Sequence, residues 1–132
     1  MIFVDTSFWA AGAVARDAHH AEAERLRDVH SAETLLTSNH VRGETWTFLQ
    51  RRHGRRAAIE FLDRVEGSPR VRVVFVTEAL EREALEWLRR RDEREYSFVD
   101  ATSFALMRSL RLDLAFAFDG DFAAAGFTEL RA

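Results

Sequence analysis

At 132 residues, 47% hydrophobic and 31% charged, the chain has room for one globular domain with its own core and needs no covalent staples. It has no cysteine, which excludes disulfides, thiolate nucleophiles and cysteine-based zinc sites, and no apolar run approaches the roughly 20 residues needed to span a bilayer. The net charge of −3 argues neither for nor against a nucleic-acid partner: a protein that coats RNA usually carries a basic field, but an enzyme that meets phosphate through metal ions does not need one.

In chain order, Ile2-Phe3-Val4-Asp5 is a short apolar run of the buried-strand kind. It begins with no basic region or cleavable apolar segment ahead of it, which implies a cytoplasmic protein. Thr6 to about Ala15 reads as a helix that Asp5 or Thr6 can cap. A second helical stretch covers Ala18 to His30, and Leu35-Leu36-Thr37 gives a second short strand. Ser38-Asn39 starts a helix to about His53, with Gly54 placed to end it. Another helix runs to Glu66 and is broken by Gly67-Ser68-Pro69. Val71 to Val76 is the clearest strand. Thr77 caps a helix to about Arg91, Ser97 caps another to Leu110, and Leu114 to Phe118 is a strand. Asp119-Gly120-Asp121 turns the chain toward a last edge strand at Phe127 to Leu130. Short apolar strands alternating with helices predict an α/β fold, a three-layer sandwich with a central, mainly parallel sheet, in a single domain over residues 1–132.

In such folds ligands sit beyond the carboxyl ends of the strands. Asp5 ends the first strand and Asp119 ends the strand at 114–118, with Asp121 two positions on. Each aspartate is also a good helix cap, which alone would account for it. Asp100 follows Ser97 in near capping-box spacing, yet it heads the apolar stripe of Phe104 and Met107. Glu44 lies inside its helix beside the face of Val41 and Phe48, where either an ion pair with Arg51 or Arg52 or a shared role with the aspartates must offset its desolvation. Carboxylates gathered at one edge repel one another unless a cation joins them. Oxygen-only ligands favour Mg²⁺ or Mn²⁺, and such a centre suits phosphoryl displacement by water. His19, His20, His30, His40 and His53 show no zinc spacing and read as surface or capping residues.

These blocks together resemble a known family. Val4-Asp5-Thr6-Ser7, Thr37-Ser38-Asn39-His40-Val41-Arg42-Gly43-Glu44-Thr45, Tyr96-Ser97-Phe98-Val99-Asp100-Ala101-Thr102-Ser103 and Phe116-Ala117-Phe118-Asp119-Gly120-Asp121-Phe122 are similar, in order and spacing, to the four acidic motifs of PIN-domain nucleases. The short length and the closing Asp-x-Asp-Phe most resemble the VapC-like toxins of toxin–antitoxin pairs. The resemblance implies a Mg²⁺-dependent endoribonuclease, with Mn²⁺ able to substitute. It also implies an RNA substrate, a homodimer and a cognate antitoxin. Asp5, Glu44, Asp100 and Asp119 match the acidic tetrad, Asp121 an auxiliary metal-binding acid, and Thr6 a hydroxyl that supports the first aspartate.

Competing readings are narrowed by single residues. A receiver domain requires a lysine, and all 19 basic residues here are arginine. A haloacid-dehalogenase-type phosphatase requires an aspartate where Ser7 stands. The remaining alternative is a non-catalytic PIN-like module that binds RNA or protein. Arg51, Arg52, Arg55 and Arg56 crowd a helix end, and Arg89, Arg90, Arg91 and Arg94 form a second cluster. Both suit a solvated helix C-terminus, and one of them, the 51–56 group, is a candidate to track an RNA backbone. Phe8-Trp9, Trp46-Phe48-Leu49 and Phe61-Leu62 offer either core or, where exposed, a surface for a second copy or an antitoxin.

Overall fold

The computed structural model describes residues 1–132. Its elements in chain order are β1 (Ile2–Val4), α1 (Thr6–Ala13), α2 (His20–Val29), β2 (Leu35–Ser38), α3 (Asn39–His53), α4 (Arg55–Gly67), β3 (Val71–Val74), α5 (Glu78–Arg90), α6 (Phe98–Ser109), β4 (Leu114–Phe116), α7 (Asp121–Ala124) and β5 (Thr128–Glu129). The five strands form one sheet in the order β3-β2-β1-β4-β5, and every pairing is parallel. The sheet is thus wholly rather than mainly parallel, because each return between neighbouring strands is made by a helical crossover.

Right-handed crossovers send α1–α4 to one face and α5–α7 to the other. The packing agrees: Trp9 of α1 meets Phe61 of α4 edge-on at 5.6 Å, whereas Trp87 of α5 meets Phe104 of α6 at 5.2 Å. Phe104 in turn packs on Phe122 of α7 at 4.9 Å, and Phe122 lies against Phe3 of β1. A continuous cluster of 26 buried apolar residues fills both sides of the sheet. Phe8, Trp9, Leu49 and Phe61 belong to it, and Trp46 and Leu62 are half-buried against it, so of the apolar groups singled out above only Phe48 is exposed.

Several boundaries differ from the sequence expectation: α1 ends at Ala13, α2 starts at His20 and β5 is trimmed to Thr128–Glu129. β3 stops at Val74, because the Val76 N–H leaves the ladder and donates to the Asn39 side chain at 2.8 Å. β4 stops at Phe116, and the Phe118 N–H donates instead to the Ser7 hydroxyl at 3.0 Å. The turn at Asp119-Gly120-Asp121 opens a four-residue helix, α7, that has too few residues to show a helical period. Gly54 separates α3 and α4 with φ 93° and ψ 166°, a conformation essentially reserved for glycine. It lets the second helix start immediately after the first.

β1 and β4 lie side by side at the centre, and the connections run outward from them in opposite directions. That is the switch point where open parallel sheets leave a crevice at their carboxyl edge.

Candidate active site

Asp5 leaves β1 into this crevice, and Asp119 leaves β4 beside it. Glu44 comes from the second turn of α3 and Asp100 from the first turn of α6, so four elements deliver the tetrad to one cavity of about 520 Å³. Asp121 lines the same cavity, together with Thr6, Ser7 and the rings of His19, Phe48 and Phe118.

Each carboxylate is held by one oxygen. The Asp5 Oδ2 accepts from the Ser7 N–H at 3.1 Å and the Ser7 hydroxyl at 2.8 Å, which also caps α1. The Asp100 Oδ2 accepts from the Ser97 N–H at 3.1 Å, completing a reciprocal capping box in which Ser97 accepts from the Asp100 N–H. The Glu44 Oε1 accepts from the Thr6 hydroxyl at 2.6 Å, and Thr6 accepts from Thr45 at 3.1 Å. The Asp119 Oδ1 accepts from the Asp121 N–H at 3.2 Å. Capping and ligation are therefore not rival readings here. The local bond orients one oxygen and leaves the second without a hydrogen bond within the chain.

The electrostatics show what this convergence costs. Asp5 is 2% exposed, and burial, then the neighbouring charges of Asp119 and Asp100, push its pKa up to about 8 against the relief from Ser7. Burial, with Asp121 and Asp119 nearby, pushes Asp100 up to about 7. Asp119 is raised as well, by burial first and then by Asp121 and Glu129. Carboxyl oxygens of Asp100, Asp119 and Asp121 lie within 4.8 Å of one another. Such a group of hard, oxygen-only donors, each with an uncommitted oxygen, fits a divalent cation of the magnesium type.

The structure redistributes some expected roles. Thr6 supports Glu44 and not Asp5; Ser7 takes the place beside Asp5. Glu44 makes no ion pair with Arg51 or Arg52. Arg94 reaches over from the loop before α6, and its Nε donates to Asp121 at 2.5 Å while Nη2 donates to the Asp119 carbonyl at 3.0 Å. Glu129 of β5 accepts from the N–H groups of Gly120 and Ala123 at 3.3 and 3.1 Å, fixing the loop that carries Asp119. Neither Arg94 nor Glu129 is legible as a site residue, since their contacts cross 27 and 9 positions with no repeat or motif to mark them. Ser7 had a visible signal, a hydroxyl two positions after an aspartate at a helix start. Among the arginines of the helix end, Arg51 and Arg52 border a second cavity next to the first, while Arg56 pairs with Glu60 at 3.5 Å on α4.

The PIN domain family model matches residues 2–128. The chain is 59% identical over 131 residues to proteins described as the 23S rRNA-specific endonuclease VapC20 in two strains of Mycobacterium tuberculosis, CDC 1551 / Oshkosh and H37Rv, covering 99% of this chain and 98% of each relative. It is also similar over the full length of both chains to the crystal structure of Mycobacterium tuberculosis VapC20, described as a sarcin–ricin loop cleaving toxin, with a TM-score of 0.95 and 57% identity.

Proposed function

Because this chain belongs to the PIN-domain family and is an endoribonuclease of the VapC toxin type, we propose that it cuts the sarcin–ricin loop of 23S rRNA at the Asp5–Glu44–Asp100–Asp119 centre with Mg²⁺ as its cation. The observation that carries this reading is the gathering of four carboxylates from four separate elements into one cavity, two of them with pKa values pushed to about 8 and 7.

Asp5, Glu44, Asp100 and Asp119 would hold the cation, with Asp121 as an auxiliary ligand. When bound, the metal supplies positive charge for the phosphodiester and lowers the pKa of an attacking water. The protein's own residues hold the geometry. Ser7 and Thr6 fix the carboxylates of Asp5 and Glu44, Ser97 fixes Asp100, and Arg94 holds Asp121 by donating to its carboxylate.

The same reading carries a cytoplasmic site of action, where ribosomal RNA is, a homodimer, and a cognate antitoxin that covers the acidic cavity. No helix of the chain is long and apolar enough to cross a membrane. The test is incubation with a 23S rRNA fragment containing the loop, in Mg²⁺ and in chelator, with the new ends mapped. A single cut in the loop, abolished by chelation and by Asp100→Asn, is expected. A folded protein that binds the fragment but leaves it intact in both Mg²⁺ and Mn²⁺ would instead be a binding module.

A further inference from the structure

A second cavity of about 620 Å³ adjoins the acidic one, and the two share Glu44 and Phe48 as a common wall. Its character is the opposite. Arg51 and Arg52, in the last turn of α3, border it. Neither forms an ion pair or a hydrogen bond within the chain, and Arg52 rests only over the Phe48 ring at 5.6 Å. The helix C-terminus explains why cations are tolerated there, but not why aromatic rings stay open beside them. Three phenylalanines of this protein are exposed, and two of them, Phe48 and Phe98 at 36% and 39%, line this cavity. His40 completes the shelf, its ring 5.6 Å from that of Phe98.

We propose that this cavity is the subsite for the nucleotide next to the scissile bond, with an unpaired base stacked on the Phe98–His40 shelf and its phosphate between Arg51 and Arg52. The inference rests on the endoribonuclease reading above and adds where the strand goes after it leaves the carboxylates. A phosphodiester held at the acidic centre has a neighbouring nucleotide on each side. A strand crossing the Glu44–Phe48 wall passes directly from a place that needs metal to bind phosphate into one that binds it with fixed cations. Exposed rings beside a cationic groove are how proteins hold single-stranded RNA, because every base offers a face to stack. The cavity therefore selects an unpaired, flexible loop over a duplex, whose bases are not free to enter it.

The experiment measures kcat and KM for the isolated sarcin–ricin hairpin in Mg²⁺ across a salt series. For R51A/R52A, KM should rise about tenfold or more with kcat within about twofold, the signature of lost uniform binding. The slope of log(kcat/KM) against log[salt] should become shallower by about one to two, and R51K/R52K should restore most of it. Phe98→Ala should raise KM by about tenfold, with Phe98→Trp recovering it. If the wild type cuts the hairpin but R51A/R52A leaves KM and salt slope unchanged, the subsite is overturned and the nuclease reading stands. If the wild type cuts no RNA, both fall. If R51A/R52A instead converts a dimer to a monomer on gel filtration and regains full activity at high protein concentration, the surface is a contact between copies and the subsite is again overturned.

Discussion

One oxygen of Asp5 caps α1 and the other makes no hydrogen bond within the chain, so Asp5→Asn keeps the cap and removes only the charge. Cleavage should fall on the order of a hundredfold or more with an unchanged circular dichroism spectrum; activity near wild type would remove Asp5 from the centre. The same charge sets a pH dependence in metal-free buffer. Its pKa is pushed from an ordinary 3.8 to about 8 in the folded chain, so between those values the unfolded chain releases a proton that the folded chain keeps. Stability therefore declines as pH rises through that window and levels off above it, by an amount on the order of a few kcal/mol. Thermal melts in chelator should show Asp5→Asn gaining on the wild type from pH 5 to pH 8; parallel curves would contradict the burial argument. Thr6 has a narrower part. Thr6→Val removes the 2.6 Å bond to Glu44 and should cost about tenfold in kcat with little change in melting temperature.

The long elements were legible in the sequence because their periods are long enough to read: α3, α5 and α6 begin at the expected caps Ser38, Thr77 and Ser97. Asp5, Asp100 and Asp119 were legible for a related reason, since each sits at an element start or strand end that the topology sends to one edge, whereas Glu44, inside α3, was marked by its place beside an apolar helix face. What escaped notice is short or distant. α7 has four residues, and its loop is held by Glu129 and Arg94 through contacts that no local pattern announces, whereas β5 was expected and is only shorter, Thr128–Glu129 in place of 127–130. That loop also turns on Gly120, at φ 84°, where an added Cβ would stand 3.1 Å from the Arg94 guanidinium. Gly120→Ala should destabilise the protein by about 1–2 kcal/mol and loosen the Arg94 clamp on Asp119 and Asp121, lowering activity more than its stability loss alone would. Urea denaturation paired with cleavage assays checks this; a neutral variant would show that the loop relaxes without effect.

Across the whole molecule, a cation held in the four-carboxylate cavity would make metal and fold one equilibrium. If Mg²⁺ binds only where the tetrad is assembled, as proposed above, melting temperature should climb with its concentration, on the order of 10 °C at a hundredfold excess over Kd. Asp100→Asn should blunt that rise, and a melt indifferent to Mg²⁺ and Mn²⁺ alike would argue against the ligand set. The sheet order has a further consequence, for synthesis. β1 is the first strand made, yet it is flanked in the finished sheet by β4, and Phe3 pairs with Ala115. The Ser7 hydroxyl that holds Asp5 receives the Phe118 N–H from 111 positions away. Contacts of that span form late. A chain emerging from the ribosome thus carries Asp5 and Glu44 long before β4 and Asp119 can close the centre. With Asp119 needed for cleavage, as proposed above, the nascent polypeptide would be inert toward the RNA that surrounds it until β4 and the loop after it are in place.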